Sequence, residues 1–598
     1  MRRVVVAGFI PRVRILLLAS GALGLAAPQA ADAQAAPSPP SREDLTVGRP
    51  AQPANTPSRL TVEGGIERGP CPLAEPSFAN VRVKFSSVDF SGLPGIAPDA
   101  LAPAWRDMAG KDLPIASLCE VRDRASTILR DLGFLVAVQI PPQRVEAGGV
   151  VKMDVLAAKV VEIQLRGQVG PSEKLIAAQL EKLKDQPWFN VHEAERDLLL
   201  LQDLPGYDVR LTLRSAERNP GEVIGDVQVV RHPVELVAGL QNLGSNATGP
   251  TGGFVELALN DLIGRGDRTT FSYYNTFDWN EQHIFRASHE LALNANGLRF
   301  GGSLLVGRTR PSIAGGAFHS NTFSSEIHLT DALVRRQSSS LFATGGLELA
   351  NQKLLFGKTE LSDDRSRVLF ARLEHQAIDP DSIRGIGGYT IREPRWHTDV
   401  SLELRQGIDV LNASPDCSNL ADCLPPHVGI SNVRADPTAF VARLHASAEF
   451  RPMPQFTIAV APVLQLAGSA LLPYEQISFG NYTIGRGLDP GIVQGDGGFG
   501  SSFELRFGSL LPKKRDGVAL EPFAFLDYAT AWLKDRGLTP EPRDVMTAGA
   551  GIRGRWGDHF DFGATLAAPL KRAGYQTHRG PVRLLFTITA RLVPWGER

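Results

Sequence analysis

Beyond residue 33 the chain has no unbroken apolar stretch of the ~18 to 20 residues that a membrane-crossing helix requires. With a mean hydropathy of −0.08, a helical membrane protein is excluded. Charge of one sign is missing too: 63 Lys and Arg face 64 Asp and Glu, a formal net charge of −1. Nothing electrostatic therefore draws the chain to nucleic acid. Cysteine is scarce, four in 598 residues, which is too few for a disulfide scaffold. The sequence holds no Walker-type lysine loop, no His-Glu-x-x-His and no Gly-x-Ser-x-Gly elbow. Two stretches, 495–500 and 549–554, spell Gly-x-Gly-x-x-Gly, but each runs into residues patterned as strand and turn. A phosphate cradle needs a helix N-terminus there. The expectation is a protein that is not an enzyme and uses no cofactor.

At the start, Arg2, Arg3, Arg12 and Arg14 accompany the apolar run 15–27, followed by Ala31-Asp32-Ala33. This pattern predicts a secretory signal peptide over 1–33, cleaved after Ala33; the run is too short for a retained anchor. Its removal takes the net charge from −1 to −4. In an exported chain an even cysteine count suggests pairing, and we expect Cys71 with Cys119 and Cys417 with Cys423. The second pair closes a short loop of polar, turn-forming residues. Metal binding is the weaker alternative, because no Cys-x-x-Cys spacing or clustered His accompanies them.

Residues 34–77 are rich in Pro, Ala, Ser and Gly, a composition that cannot bury enough apolar surface to fold alone. From 78 to 232 strand and helix signals alternate, and the pattern occurs twice. The first copy, 78–157, opens with a strand at 81–85 and a helix bearing Leu101, Trp105 and Met108. A second helix presents Leu118, Val121, Ala125, Ile128 and Leu132 before Gly133, and strands at 135–140 and 150–156 close the unit. The second copy, 158–232, has a strand at 160–165 and a helix with Ile176, Leu180 and Leu183. A capped helix follows, with Asn190 and Glu193 as a capping box, and then strands at 208–213 and 223–230. Gly133-Phe134 matches Gly206-Tyr207 at an offset of 73, which Val150 and Val223 keep. A tandem α+β repeat is the economical reading.

From 233 to 598 the helical period disappears, and segments of about 10 residues alternate in character between turn residues. Phe440, Ala442, Leu444, Ala446, Ala448 and Phe450 fall on one face; Val441, Arg443, His445, Ser447, Glu449 and Arg451 fall on the other. A soluble β-sandwich also alternates, but this region exceeds one sandwich and has no helical cover. At about 23 residues per strand and connection it gives roughly 16 antiparallel strands, the even number of a closed transmembrane β-barrel. The last segment, 582–592, would close it against the first strand.

In 519–532 the alternation puts Asp527 on the inner face with Phe525 and Ala529. Arg486 sits in 481–491, which has no alternation and many turn residues, hence a long loop. From spacing alone, a solvated loop arginine is the plainer reading. The layout and these segments resemble the TpsB transporters of two-partner secretion, the haemolysin activation/secretion type, within the outer-membrane superfamily that joins POTRA domains to a barrel. In that family a loop with a Val-Arg-Gly-Tyr/Phe motif folds back into a sixteen-strand barrel, and its arginine pairs with the aspartate of an inner-wall Phe-x-Asp-x-Gly motif. Here the corresponding residues are Gly485-Arg486-Gly487-Leu488 and Phe525-Leu526-Asp527-Tyr528-Ala529, with departures at Gly485, Leu488 and Ala529. The C-terminal Pro594-Trp-Gly-Glu-Arg598 likewise departs from the terminal aromatic common in outer-membrane barrels.

The resemblance implies two POTRA domains in the periplasm before a monomeric barrel in outer-membrane lipid, and an Arg486–Asp527 latch in its lumen. It also implies a partner, a secreted TpsA-type exoprotein of the haemolysin or adhesin kind. Either POTRA sheet could receive this partner by strand addition before it enters the pore and folds outside. Residues 34–77 are then a periplasmic linker or include the N-terminal plug seen in the family. The alternatives are an outer-membrane assembly insertase and a passive porin.

Overall fold

The computed structural model describes residues 39–46, 62–64, 71–92, 95–216, 219–312, 317–417, 423, 428–534, 543–574 and 576–594. The expected signal peptide and Ala33 lie outside them. Contacts divide the chain after Ala36, and every described residue belongs to the second unit, Pro37–Arg598.

A short strand, β1 (Val62–Gly64), precedes the first small domain. That domain comprises β2 (Arg82–Val83), β3 (Phe85–Ser91), β4 (Leu113–Pro114), α1 (Ser117–Asp131), β5 (Val136–Gln139) and β6 (Gly149–Ala157). Its sheet runs β3-β6-β5, with β6 parallel to β3 and antiparallel to β5. Phe85, Val121, Ala125, Leu129, Val151 and Met153 form the centre of its core. The expected strand at 81–85 is split at Lys84 between β2 and β3. The expected helix around Leu101 and Trp105 is instead a 3-10 stretch, Pro98–Ala104. Pro103 lies inside it and has no N–H to offer, so an α-helical ladder cannot form there. The Cys71–Cys119 disulfide ties the preceding segment to the first turn of α1.

The second domain contains β7 (Lys159–Gly167), α2 (Glu173–Glu181), α3 (Val191–Gln202), β8 (Tyr207–Ser215) and β9 (Glu222–Arg231). Asn190 caps α3 by accepting the His192 amide at 2.9 Å, rather than that of Glu193 as a capping box would have it. The sheet order is β1-β8-β9-β7, and β1 lies parallel to β8. Three residues of the 34–77 segment thus occupy part of the β8 edge, while no strand is added to the sheet of the first domain among the described residues. The two domains interlock. Val191 N–H donates to Gly133 O at 2.8 Å and Leu135 N–H to Phe189 O at 3.5 Å. Gly133 has φ +92°, and a Cβ there would meet Asn190 Oδ1 at 2.4 Å, so this junction requires glycine.

The remaining strands are β10 (Val234–Gln241), β11 (Gly252–Asn260), β12 (Arg268–Thr276), β13 (Gln282–Ala292), β14 (Arg299–Thr309), β15 (Phe318–Arg335), β16 (Ser339–Phe356), β17 (Thr359–Ile378) and β18 (Trp396–Gly407). They continue as β19 (Phe440–Met453), β20 (Phe456–Ala467), β21 (Ile477–Phe479), β22 (Val493–Gly495), β23 (Gly497–Phe507), β24 (Val518–Trp532), β25 (Asp544–Trp556), β26 (Phe560–Pro569) and β27 (Arg583–Val593). All but β21 and β22 form one closed antiparallel barrel of sixteen strands, completed where β27 pairs with β10. The period-2 alternation sets its two faces. Leu402, Leu404, Phe503, Leu505, Phe586 and Ile588 are exposed on the outside, while Glu403, Arg405, Glu504 and Leu585 are buried within.

Candidate functional site: the barrel lumen

The connection between β20 and β23, residues 468–496, turns back into the barrel and carries β21 and β22 as a small hairpin. It lies along the inner wall of β23 to β27. Asp489 pairs with Arg583 at 2.7 Å, and Asn481 Nδ2 donates to Leu243 O at 3.0 Å. Two glycines permit the close approach: Gly485 has φ +126° and Gly487 φ +87°, and a Cβ on either would come within 2.9 Å of Val545 or Ala567. Leu488 is buried with Phe479, Ile484, Val493, Ala529 and Val545. The departures at Gly485, Leu488 and Ala529 thus all lie at one tight apolar contact between loop and wall.

This geometry brings Arg486 onto Asp527, which is 1% exposed. Arg486 Nη2 donates to Oδ1 at 2.6 Å and Nε to Oδ2 at 2.9 Å, while its backbone N–H reaches Oδ2 at 3.0 Å. The fork is bidentate, the strongest arrangement for this pair. The guanidinium also stacks 3.7 Å from the Phe525 ring centre and donates to Ser502 Oγ at 2.7 Å and Glu504 Oε1 at 2.5 Å. Burial works against its charge, but Asp527 and Glu504 prevail and hold its pKa above the ordinary value. Glu504 in turn takes Arg553 at 2.7 Å and Arg506 at 2.7 Å, so the latch belongs to a charge network across β23, β24 and β25. Glu504 alternates with the outward Phe503 and Leu505, a position the period-2 pattern gives, but nothing in the sequence signals this pairing.

A second network has no signal in the sequence beyond the period-2 alternation that sets Glu403 and Arg405 opposite Leu402 and Leu404. Arg405, 1% exposed, donates to Glu348 at 2.7 Å, Glu403 at 3.0 Å and Glu475 at 2.8 and 2.9 Å. Tyr474 OH donates to Glu348 at 2.9 Å, and Arg372 Nε to Glu403 at 2.6 Å. Into this cluster comes the N-terminal segment 39–46. Arg42 lies 3.5 Å from Glu348 and 3.4 Å from Glu403. Burial and the neighbouring Arg405 oppose its charge, yet the two glutamates keep its pKa above the ordinary value. Asp44 accepts from Ser478 Oγ at 2.8 Å, from Gln494 Nε2 at 3.3 Å and from Ser41 at 2.9 Å, and burial raises its pKa against those bonds. Gln352 donates to Pro40 O at 2.8 Å and Arg286 donates to Leu45 O. Leu45 is buried with Phe254, Tyr274, Ile284, Ala350 and Tyr474. Part of the stretch read as linker or plug arm is therefore seated in the lumen, against both the wall and the inserted loop.

The second small domain is fixed to the turns at one mouth of the barrel. Arg335 forks onto Asp203 at 2.6 and 2.7 Å, Gln337 N–H donates to Glu195 at 2.7 Å, and Arg196 donates to Asn296 O at 2.9 Å. Asp261, fully buried at φ +55°, accepts the Ser172 N–H at 3.1 Å and the hydroxyls of Ser172 and Tyr207. Burial, then Asp261, raises the Tyr207 pKa. At the other mouth Cys417 bonds Cys423 within the connection 408–439, and both lie against Ile430, Ala435 and Leu472 of the inserted loop.

The chain as a whole is similar to known proteins. The model of the haemolysin secretion/activation protein family ShlB/FhaC/HecB matches residues 226–554, and that of the ShlB-type POTRA domain matches 83–157. The heme/hemopexin transporter protein HuxB of Haemophilus influenzae (strain 86-028NP) is 26% identical over 213 residues, which is 34% of this chain and 36% of that protein. The matched part thus spans about a third of this curated relative. The structure of CdiB from Escherichia coli superposes with a TM-score of 0.64 at 16% identity, covering 90% of this chain and 95% of that one. CdiB from Acinetobacter baumannii gives 0.56 at 16% identity, covering 93% and 94%. At such identities the likeness is one of fold. With its family model matched over more than half of its length, the chain belongs to the haemolysin secretion/activation protein family ShlB/FhaC/HecB.

Proposed function

We propose that this chain is an outer-membrane transporter that recognises an unfolded exoprotein in the periplasm and exports it through its barrel. Family membership supports two-partner secretion as the setting. The observation that carries the specific reading is the filled lumen. A polar channel is stoppered by two segments that hold it through side-chain pairs, Arg42 with Glu348 and Glu403, and Arg486 with Asp527. A passive porin has no use for such stoppers. The POTRA domains stand at the periplasmic mouth, where sheet edges can take up an extended chain. The chain carries out no chemistry on its passenger in this reading, and folding of the passenger outside supplies direction. The relative named for heme/hemopexin transport and the CdiB structures fit a partner of the secreted TpsA class.

The test is export of a large secreted β-repeat protein, sought first in the gene neighbouring this one, in a strain lacking its own transporter. Deleting 78–157 is expected to leave a heat-modifiable barrel in the outer membrane and to abolish appearance of the exoprotein in the medium. Export that continued undiminished would overturn the recognition role.

A further inference from the structure

We propose that the turns 379–395 and 508–517 form a docking surface for anionic phospholipid of the periplasmic leaflet, their exposed lysines and arginines taking the lipid phosphates. The inference goes beyond the export reading and needs only the barrel in a bilayer. Both turns join strand ends on the side of the wall where the second small domain sits. The bonds of that domain fall on the turns 261–267, 293–298 and 336–338. The two turns proposed here lie farther around the same ring.

On the wall next to them the outward residues are aromatic. Phe450, Phe507 and Trp556 are exposed, Trp396 is the register partner of Phe450, and Phe560 stacks on Trp556 with ring centres 5.4 Å apart. An aromatic girdle marks the level where hydrocarbon meets headgroup. The turn 508–517 hangs from this girdle: Trp556 Nε1 donates to Asp516 O at 3.2 Å, and Gly557 N–H to Gly517 O at 2.9 Å. Ser509 Oγ donates to Glu393 at 2.5 Å and so joins it to the turn 379–395. The cations of both turns therefore stand at headgroup level.

Arg392, Arg395, Lys513, Lys514 and Arg515 are all exposed, and the first four make no ion pair among the described residues. Most acids nearby are engaged. Arg384 pairs with Asp381 at 2.5 Å, Asp379 accepts from Ser382 and Glu393 from Ser509, which leaves Asp516 and, on the neighbouring turn, Asp558. The excess is positive and borders the lipid face, which favours phosphate diesters over an acidic stretch of passenger. Lysine and arginine stems can lie along the girdle while their heads reach phosphate. Each such cation at an anionic bilayer surface is worth on the order of fivefold in association, and less at high salt. The mouth is then held by protein on one part of its rim and by lipid on another.

The test uses the full chain in phosphatidylcholine vesicles, with spin-labelled phosphatidylglycerol and spin-labelled phosphatidylcholine as probes. At low salt wild type is expected to associate several-fold more strongly with the anionic lipid. The variant Arg392→Gln/Arg395→Gln/Lys513→Gln/Lys514→Gln should lose most of that preference. Arg308→Gln, which removes an exposed cation at the other end of the barrel, should keep it. Heat-modifiable migration reports folding; if the quadruple variant fails it, Lys513→Gln and Lys514→Gln singly are each expected to lose part of the preference. No preference in wild type, or an unchanged one in the folded variants, overturns the proposal. So does its removal by soluble glycerol phosphate at constant ionic strength, which would make the site one for a free phosphate ester.

Discussion

Arg486 directs its guanidinium at Asp527, Glu504 and Ser502 together, and no other side chain offers that fork. Arg486→Ala would strand a nearly fully buried Asp527, a loss of about 3–5 kcal/mol where such a pair is broken. Arg486→Lys keeps the charge without the bidentate geometry and should fall between. Melting of the detergent-solubilised protein checks this, with Asp527→Ala and the double variant beside it. The double is expected to cost clearly less than the two singles together, because each single already destroys the same contact. Strict additivity would mean that the two side chains do not act as a pair. Asp44 gives a second handle. A carboxyl whose pKa in the docked segment stands above the ordinary 3.8 favours docking while it is protonated. Docking is then strongest below about pH 4 and weakens as pH rises through the raised value. Bilayer opening should increase from acid toward neutral pH in wild type and lose that trend in Asp44→Asn; equal slopes would remove Asp44 from the stopper's energetics.

Among the elements, the barrel strands were open to sequence reading because lipid and water impose opposite demands on successive residues, a contrast β19 and β24 carry in the pairs Phe450–Arg451, Leu520–Glu521 and Leu526–Asp527. The helices α1 and α3 were equally plain from their apolar spacing and from Gly133 and Asn190 at their ends. What local pattern could not supply was contact across great separations in the chain. Arg42 and Glu403 lie 361 residues apart, and nothing near either one announces the other. Strand β1 escaped for a related reason: three residues in a proline-rich stretch carry no period, and only the neighbouring β8 edge gives them a place. The Arg486–Asp527 pair was suggested by resemblance to a family, since spacing alone left Arg486 an ordinary loop residue.

For the molecule as a whole, the two faces of the wall predict opposite tolerances. Ile588 lies outward midway along β27, whereas Thr589 beside it faces the lumen. Ile588→Arg is expected to cost about 2–4 kcal/mol, the depth-dependent penalty for a cation in the hydrocarbon midplane, and Thr589→Arg far less. Reversible unfolding from lipid vesicles measures both, and equal costs would contradict a lipid-facing outer surface.

The seated segment 39–46 belongs to the same polypeptide as the channel it blocks. Once dislodged it stays leashed at the entrance, at a local concentration on the order of millimolar fixed by its tether rather than by expression level. Reseating is therefore first-order, and on the export reading proposed above the interval in which small solutes leak after each passenger is the same in a cell with few copies as in one with many.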